Sequence, residues 1–271
     1  MDIIFIILGI LILLFAIYLF MICPRVFHKP DISAFYGVHY AHRGLFDNQS
    51  NAPENSLNAI RRAVEAGYGI EFDVQLTKDD IPVVFHDASL KRVCGVDGKV
   101  WEYTYEELQK IKLADSDQTI PTFEEVLKVV NGKAPLIIEY KMDRVDTKVC
   151  ELGDKILSNY KGVYCIESFH PFAVQWYRKN RPNVVRGQLS ENYARSGRKD
   201  LYLRVMTYLL TNFLTRPDFI AYCHKDADNL SRRFCKIMGA LSVTWTIKSQ
   251  EQYEKAKNHF DLFIFDSFIL K

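Results

Sequence analysis

The chain has 271 residues, of which 48% are hydrophobic and 25% charged, and it carries a formal net charge of +2. Those values are ordinary for a globular protein, and the near-neutral balance argues against a nucleic-acid partner, which requires a strongly basic face. The length suits one large α/β domain, and no internal repeat or low-complexity tract interrupts it.

The first predicted element, residues 3–22, is a run without a charge, broken only by Gly9 and Tyr18. At about 1.5 Å per residue it reaches roughly 30 Å, the thickness of a bilayer's hydrocarbon core. No basic stretch precedes it and no small-x-small cleavage site follows, so it reads as a retained transmembrane anchor rather than a signal peptide. Asp2 lies before the run and Arg25 and Lys29 after it. The positive-inside rule then places the rest of the chain in the cytoplasm, as a single-pass protein of the cell membrane. The domain reading is an anchor at 1–23, a linker at 24–37 and a barrel domain at 38–271. Six scattered cysteines without a C-x-x-C pair fit free thiols in a reducing compartment.

Beyond the linker, strand-like runs are predicted at 38–42, 69–76, 81–86, 135–141, 163–169, 184–189, 218–222, 241–247 and 261–266. Helix-period stretches lie between most of them, at 56–66, 122–130, 146–159, 171–180 and 251–257. Such alternation implies parallel strands with crossover helices. Only residues 77–80 separate the second and third strands, too few for a crossover and right for a hairpin. The third strand therefore leaves the count, and the expected fold is a (β/α)8 TIM-type barrel with an extra hairpin strand, preceded by one transmembrane helix. A four-residue loop sets Leu76 against Ile81 and His86 opposite Glu71, with Asp73 on the same face as Glu71.

Barrel sites form at the C-terminal ends of strands, where His42, Arg43, Glu139 and Lys141 fall. Charged residues inside apolar parallel strands are costly unless paired or bound to a cation. Glu71, Asp73 and Glu139 would make a hard, all-oxygen site suited to Mg²⁺ or Ca²⁺.

Ala41-His42-Arg43-Gly44, Pro53-Glu54-Asn55, Glu71-Phe72-Asp73, His86-Asp87 and Glu139-Tyr140-Lys141 read in order as H-R-G, P-E-N, E-x-D, H-D and E-x-K. In that order and spacing the chain resembles the glycerophosphodiester phosphodiesterase family, among the phosphatidylinositol-phospholipase-C-like barrel phosphodiesterases, over about residues 38–271. The resemblance implies metal-dependent hydrolysis of glycerophosphodiesters to glycerol 3-phosphate and an alcohol. It assigns His42 as general base, His86 as general acid, Arg43 and Lys141 to the substrate phosphate, and Glu71, Asp73 and Glu139 to the metal. Glu54 and Trp245 are further site positions, although Asn55 and Ser56 also suit a helix cap and Trp245 also suits barrel packing. Alternative readings are phospholipase-D-like or lysophospholipase-D-like cleavage of lipid phosphodiesters, and a non-catalytic, membrane-tethered binder of phosphorylated head groups.

Two departures stand out: the hairpin turn ends in Asp80 where the family usually has glycine, and the last strand ends Phe265-Asp266-Ser267 instead of T-D. Residues 192–216 go beyond the usual pattern, with Leu201, Leu203, Met206 and Leu210 among Arg195, Arg198, Lys199, Arg204 and Arg216. This segment reads either as a lipid-facing helix near the site or as an ordinary crossover helix.

Overall fold

The computed structural model describes residues 2–142, 146–198 and 200–270; Lys199 lies outside them. Among the described residues nine strands form one sheet: β1 (His39–His42), β2 (Gly69–Leu76), β3 (Pro82–Val84), β4 (Leu136–Tyr140), β5 (Tyr164–Ser168), β6 (Arg186–Ser190), β7 (Phe219–Cys223), β8 (Leu241–Ile247) and β9 (Leu262–Phe265). Their order is β1-β9-β8-β7-β6-β5-β4-β2-β3, and β1 also pairs with β2. Eight parallel strands therefore close into a barrel, with β3 attached antiparallel to β2, as the count of crossovers implies.

Strand alternation divides the side chains between two cores. Tyr40, Ile137, Cys165, Phe219, Val243 and Ile264 fill the barrel interior. Phe72, Val74, Ile138, Tyr140, Ile166 and Ile220 face outward against the surrounding helices. Glu71, Asp73, Glu139 and Glu167 share the parity of the inward set, so the strands deliver four carboxylates to the inside of the barrel near its C-terminal mouth.

The hairpin register differs by one residue from the expected one. Leu76 pairs with Pro82 and Val74 with Val84, so Ile81 does not face Leu76. The loop is the three residues Lys78, Asp79 and Asp80. Thr77 N–H donates to Ile81 O at 3.1 Å, and Ile81 N–H donates to Thr77 Oγ1 at 2.9 Å. Asp80 takes the left-handed conformation, φ +63°, that closes a three-residue hairpin loop, in the place of the glycine usual in the family. In this register His86 would stand level with Phe72, not Glu71. The ladder stops at Val84, with one further bond from Phe85 N–H to Asp73 O at 3.0 Å, and His86 leaves the strand.

This arrangement positions the site. β1 occupies the edge of β2 only as far as His42, which is in register with Glu71, and β3 occupies the same edge from Val74 onward. The end of β1 and the end of β3 thus point at one another over Glu71–Asp73. After β3, residues 87–121 build a small lobe with its own core of Val83, Phe85, Leu90, Val100, Leu108 and Ile120. The sequence reading assigned that lobe no element; its helices, such as Lys91–Cys94 and Tyr105–Leu108, are only four residues long.

The N-terminal apolar helix, Asp2–Ile22, is exposed along most of its length, with Ile22 buried at its end. There Ile22 O accepts from Asn212 Nδ2 at 2.9 Å, and Tyr18 OH meets Ser231 Oγ at 2.8 Å. The described residues of the 192–216 segment do not form one helix. They break into the turn Tyr193–Ser196 and the short helices Leu201–Thr207 and Asn212–Thr215. Two of their arginines bond within the molecule: Arg216 Nη1 donates to Cys23 O at 2.8 Å, and Arg195 pairs with Asp226 at 2.5 Å.

Candidate active site

Glu71, Asp73 and Glu139 are buried, and each offers a carboxylate oxygen within 4.8 Å of the others. Asp73 is in register with Glu139 across the β2–β4 ladder, which is what brings them together. Lys141, one step past β4, reaches back with Nζ 2.6 Å from Glu139 Oε1 and 2.9 Å from Asp73 Oδ1.

The three carboxylates are electrostatically unequal. Burial, and then the charges of Asp73 and Glu139, push Glu71 well above the usual carboxylate range. Burial works the same way on Asp73, but Lys141, His86, Arg43 and a 2.9 Å hydrogen bond from Asn55 Nδ2 together hold it well below that range. A buried all-oxygen set with its charges crowded in this way fits a divalent cation, whose charge relieves the repulsion.

Each of the two histidines meets a carboxylate through Nδ1. His42 Nδ1 lies 2.8 Å from Asp266 Oδ2, and its Nε2 lies 3.9 Å from Glu71 Oε2. Burial pushes His42 down to about 4 against the opposing hydrogen bond to Asp266, so the ring is neutral at pH 7. With its Nδ1–H donating to the carboxylate, Nε2 is left as the acceptor. His86 Nδ1 lies 2.6 Å from Asp87 Oδ1, and the residue is an electrostatic neighbour of both Asp73 and Glu139.

Arg43 takes a left-handed backbone conformation, φ +58°, directly after β1. Its N–H donates to Glu71 Oε2 at 3.2 Å, and its Nη1 donates to Glu54 Oε1 at 2.6 Å. Gly44 is required there for a separate reason: at φ +79° a Cβ would sit 2.7 Å from the backbone of Ala59 in helix Leu57–Glu65. The Pro-Glu-Asn segment resolves into three duties. Glu54 reaches Arg43, Asn55 binds Asp73, and Ser56 caps the helix by accepting from Ala59 N–H at 3.1 Å.

Eight of the sequence-predicted positions, His42, Arg43, Glu54, Glu71, Asp73, His86, Glu139 and Lys141, thus meet at the barrel mouth. Trp245, on β8, packs edge-on against Phe169 at 5.4 Å and joins the interior core. Sequence reasoning passed over Asp266 as a partner. The barrel closure signals it, because Ala41 pairs with Phe265 and the next residues along are His42 and Asp266. It also passed over Glu167, in register with Glu139 and fully buried, which burial and the neighbouring Glu139 push well above the usual range.

A groove of about 340 Å³ opens from Glu139 and Lys141 between Phe169 on one side and Tyr193, Arg198, Tyr202 and Leu203 on the other. Here the 192–216 segment walls the site.

A model of the glycerophosphoryl diester phosphodiesterase family matches residues 42–266. The chain belongs to this family. Among curated members, the glycerophosphodiester phosphodiesterase of Bacillus altitudinis is 32% identical over 187 residues, 62% of this chain and 71% of that protein. The one from Caldanaerobacter subterraneus subsp. tengcongensis is 30% identical over 233 residues, 79% of this chain and 87% of that protein. Among solved structures, the family member of Thermotoga maritima has a TM-score of 0.65 at 26% identity, covering 85% of this chain and 95% of that one. An Oleispira antarctica phosphodiesterase in complex with the product sn-glycerol-3-phosphate superposes with a TM-score of 0.70 over 85% of this chain and 93% of that one. At 23% identity it shows the fold alone.

Proposed function

We propose that the chain hydrolyses glycerophosphodiesters to glycerol 3-phosphate and an alcohol, dependent on a divalent cation, with His42 as general base and His86 as general acid. The observation that supports this reading is the meeting of the β1 and β3 ends over Glu71–Asp73, with two histidines, each bound to a carboxylate through Nδ1, as neighbours of one acidic cluster.

His42, neutral and with Nε2 free to accept, takes the proton from the attacking water or hydroxyl. As the P–O bond to the alcohol breaks, the leaving oxygen takes a proton from His86, so each histidine moves one proton and the pair is reset on exchange with solvent. Arg43 and Lys141 face the non-bridging oxygens and oppose the charge that builds there. Glu71, Asp73 and Glu139 would hold the Mg²⁺ or Ca²⁺, which when bound would supply Lewis-acid neutralisation of the phosphate.

The N-terminal apolar helix is the membrane anchor in this reading, with domains at 1–23, 24–37 and 38–271. Arg25 and Lys29 after the span put the barrel on the cytoplasmic side. The groove beside Glu139 supports a second reading, in which the diester belongs to a lipid: Phe169, Tyr202, Leu203 and Met206 give it an apolar wall.

The test is hydrolysis by the full-length protein of glycerophosphocholine, glycerophosphoethanolamine and a lysophospholipid, with Mg²⁺ or Ca²⁺ and with chelator. Chelator-sensitive release of glycerol 3-phosphate supports the first reading, and preference for the lysophospholipid supports the second. Absence of turnover on all three with either cation counts against both.

A further inference from the structure

We infer that Arg92 is a positioning residue that aligns the phosphate-binding arginine and the acid histidine through one shared guanidinium. The inference rests on the roles proposed for Arg43 and His86, and it concerns a residue outside the acidic cluster and the histidine pair.

Arg92 lies on the short helix Lys91–Cys94, six residues after His86, and its side chain is about half exposed, 48%. Its fork grips two carboxylates. Nη1 donates to Glu54 Oε2 at 2.8 Å and Nη2 to Glu54 Oε1 at 2.7 Å. On the other side Nε donates to Asp87 Oδ2 at 2.6 Å and Nη2 to Asp87 Oδ1 at 3.0 Å. The two oxygens that share Nη2 are the ones that bind the working residues: Glu54 Oε1 accepts from Arg43 Nη1 at 2.6 Å, and Asp87 Oδ1 meets His86 Nδ1 at 2.6 Å. Arg43, Glu54, Arg92, Asp87 and His86 therefore form one continuous chain of charge-assisted hydrogen bonds.

This chain has two consequences. Glu54 is buried, and burial opposes its ionisation, yet Arg92 and Arg43 hold it down at about 2, so it stays a carboxylate. Shared between two arginines, it leaves Arg43 more of its positive field for a phosphate than it would as Arg43's sole partner. Asp87 is fixed on two edges by the fork, so the oxygen that receives His86 Nδ1–H cannot rotate away, and Nε2 is presented to the substrate. A lysine would supply the charge without the two-edged geometry.

The experiment compares Arg92→Ala, Arg92→Lys, Glu54→Gln and Asp87→Asn in the full chain. Arg92→Ala is expected to lower kcat/KM by about 10²-fold, within the range for a misplaced catalytic group, through both KM and kcat. Added guanidinium ion should restore part of the loss, and combining Arg92→Ala with Glu54→Gln or Asp87→Asn should cost little more than the single changes. Arg92→Lys should fold and lose about tenfold, because it keeps charge but not the fork. If Arg92→Ala does not fold, Arg92→Lys carries the test. Wild-type activity in Arg92→Lys together with Arg92→Ala, or a loss that guanidinium leaves unchanged and that adds fully to the partner variants, overturns the inference. A second readout is independent of turnover: the His86 Nδ1–H proton, held by Asp87 Oδ1 at 2.6 Å, should give a downfield, slowly exchanging ¹H resonance in the wild type that shifts upfield or broadens in the folded Arg92 variant. An unchanged resonance overturns the positioning role even if the wild type hydrolyses none of the substrates, whereas wild-type inactivity alone counts against the proposed reaction.

Discussion

His42 Nδ1 stands 2.8 Å from Asp266 Oδ2, a contact made where the last strand of the barrel closes on the first. It fixes the proton on the side of the ring away from Glu71 and leaves the other nitrogen as an acceptor. Burial opposes the charge on Asp266, but its hydrogen bonds with His42 and Ser267 hold it down at about 2, so it stays ionised through the neutral range.

Asp266→Asn should therefore lower kcat by about 10²-fold, because an amide in that place can donate to Nδ1 and select the wrong tautomer. Steady-state kinetics at pH 7 checks this. The stability of the variant should change far less than its rate.

The pH dependence follows from His42, which burial holds down at about 4 in the folded chain against 6.5 unperturbed. Between those values the unfolded chain binds the extra proton, so stability rises with pH through this window and is lost as pH falls through it. The base must also be unprotonated, so the acid limb of kcat/KM should lie well below pH 6.5. Thermal unfolding from pH 7 to pH 4, with His42→Gln for comparison, should show a smaller decline in the variant.

Cation binding should be visible without turnover. A ligand bound only by the folded state at about 100 times its Kd adds about 2.7 kcal/mol of stability. Mg²⁺ or Ca²⁺ should thus raise the Tm of the wild type, and should do so weakly or not at all in Asp73→Asn and Glu139→Gln.

Gly44→Ala should destabilise the fold by about 2 kcal/mol or more, since the added methyl group meets the Ala59 backbone at 2.7 Å in a left-handed conformation. Denaturant unfolding measures this directly. The effect separates the structural duty of the third H-R-G position from the chemical duties of the first two.

If the apolar helix is a retained anchor, the mature protein should keep residues 2–22 by mass and resist carbonate extraction from membranes. Cleavage near Ile22 would expose Asn212 and Arg216, which bond Ile22 O and Cys23 O.

Much of this site was legible in the sequence, for identifiable reasons. Period-two alternation puts Glu71 with Asp73, and Glu139 with Lys141, on one face, and a hairpin-length loop removes β3 from the barrel count. What escaped depended on geometry that spacing does not encode. The register slipped by one because Asp80 adopts a left-handed conformation and shortens the loop from four residues to three. Asp266 escaped because its partner is 224 residues away and the two meet only through barrel closure. Arg92 escaped because its helix has four residues, too few to show a period. Residues 192–216 looked like a single apolar helix, but left-handed turns at Gly197 and Leu209 divide them.

The most direct test of the two-histidine account is leaving-group dependence, comparing glycerophosphocholine with a glycerophosphodiester of p-nitrophenol, whose phenolate leaves without help from an acid. His86→Ala should hydrolyse the nitrophenyl ester at a rate close to wild type while losing about 10²-fold or more on glycerophosphocholine, and His42→Ala should lose activity on both. Equal losses on the two substrates in His86→Ala, or full activity in His42→Ala, would contradict the assignment of base and acid.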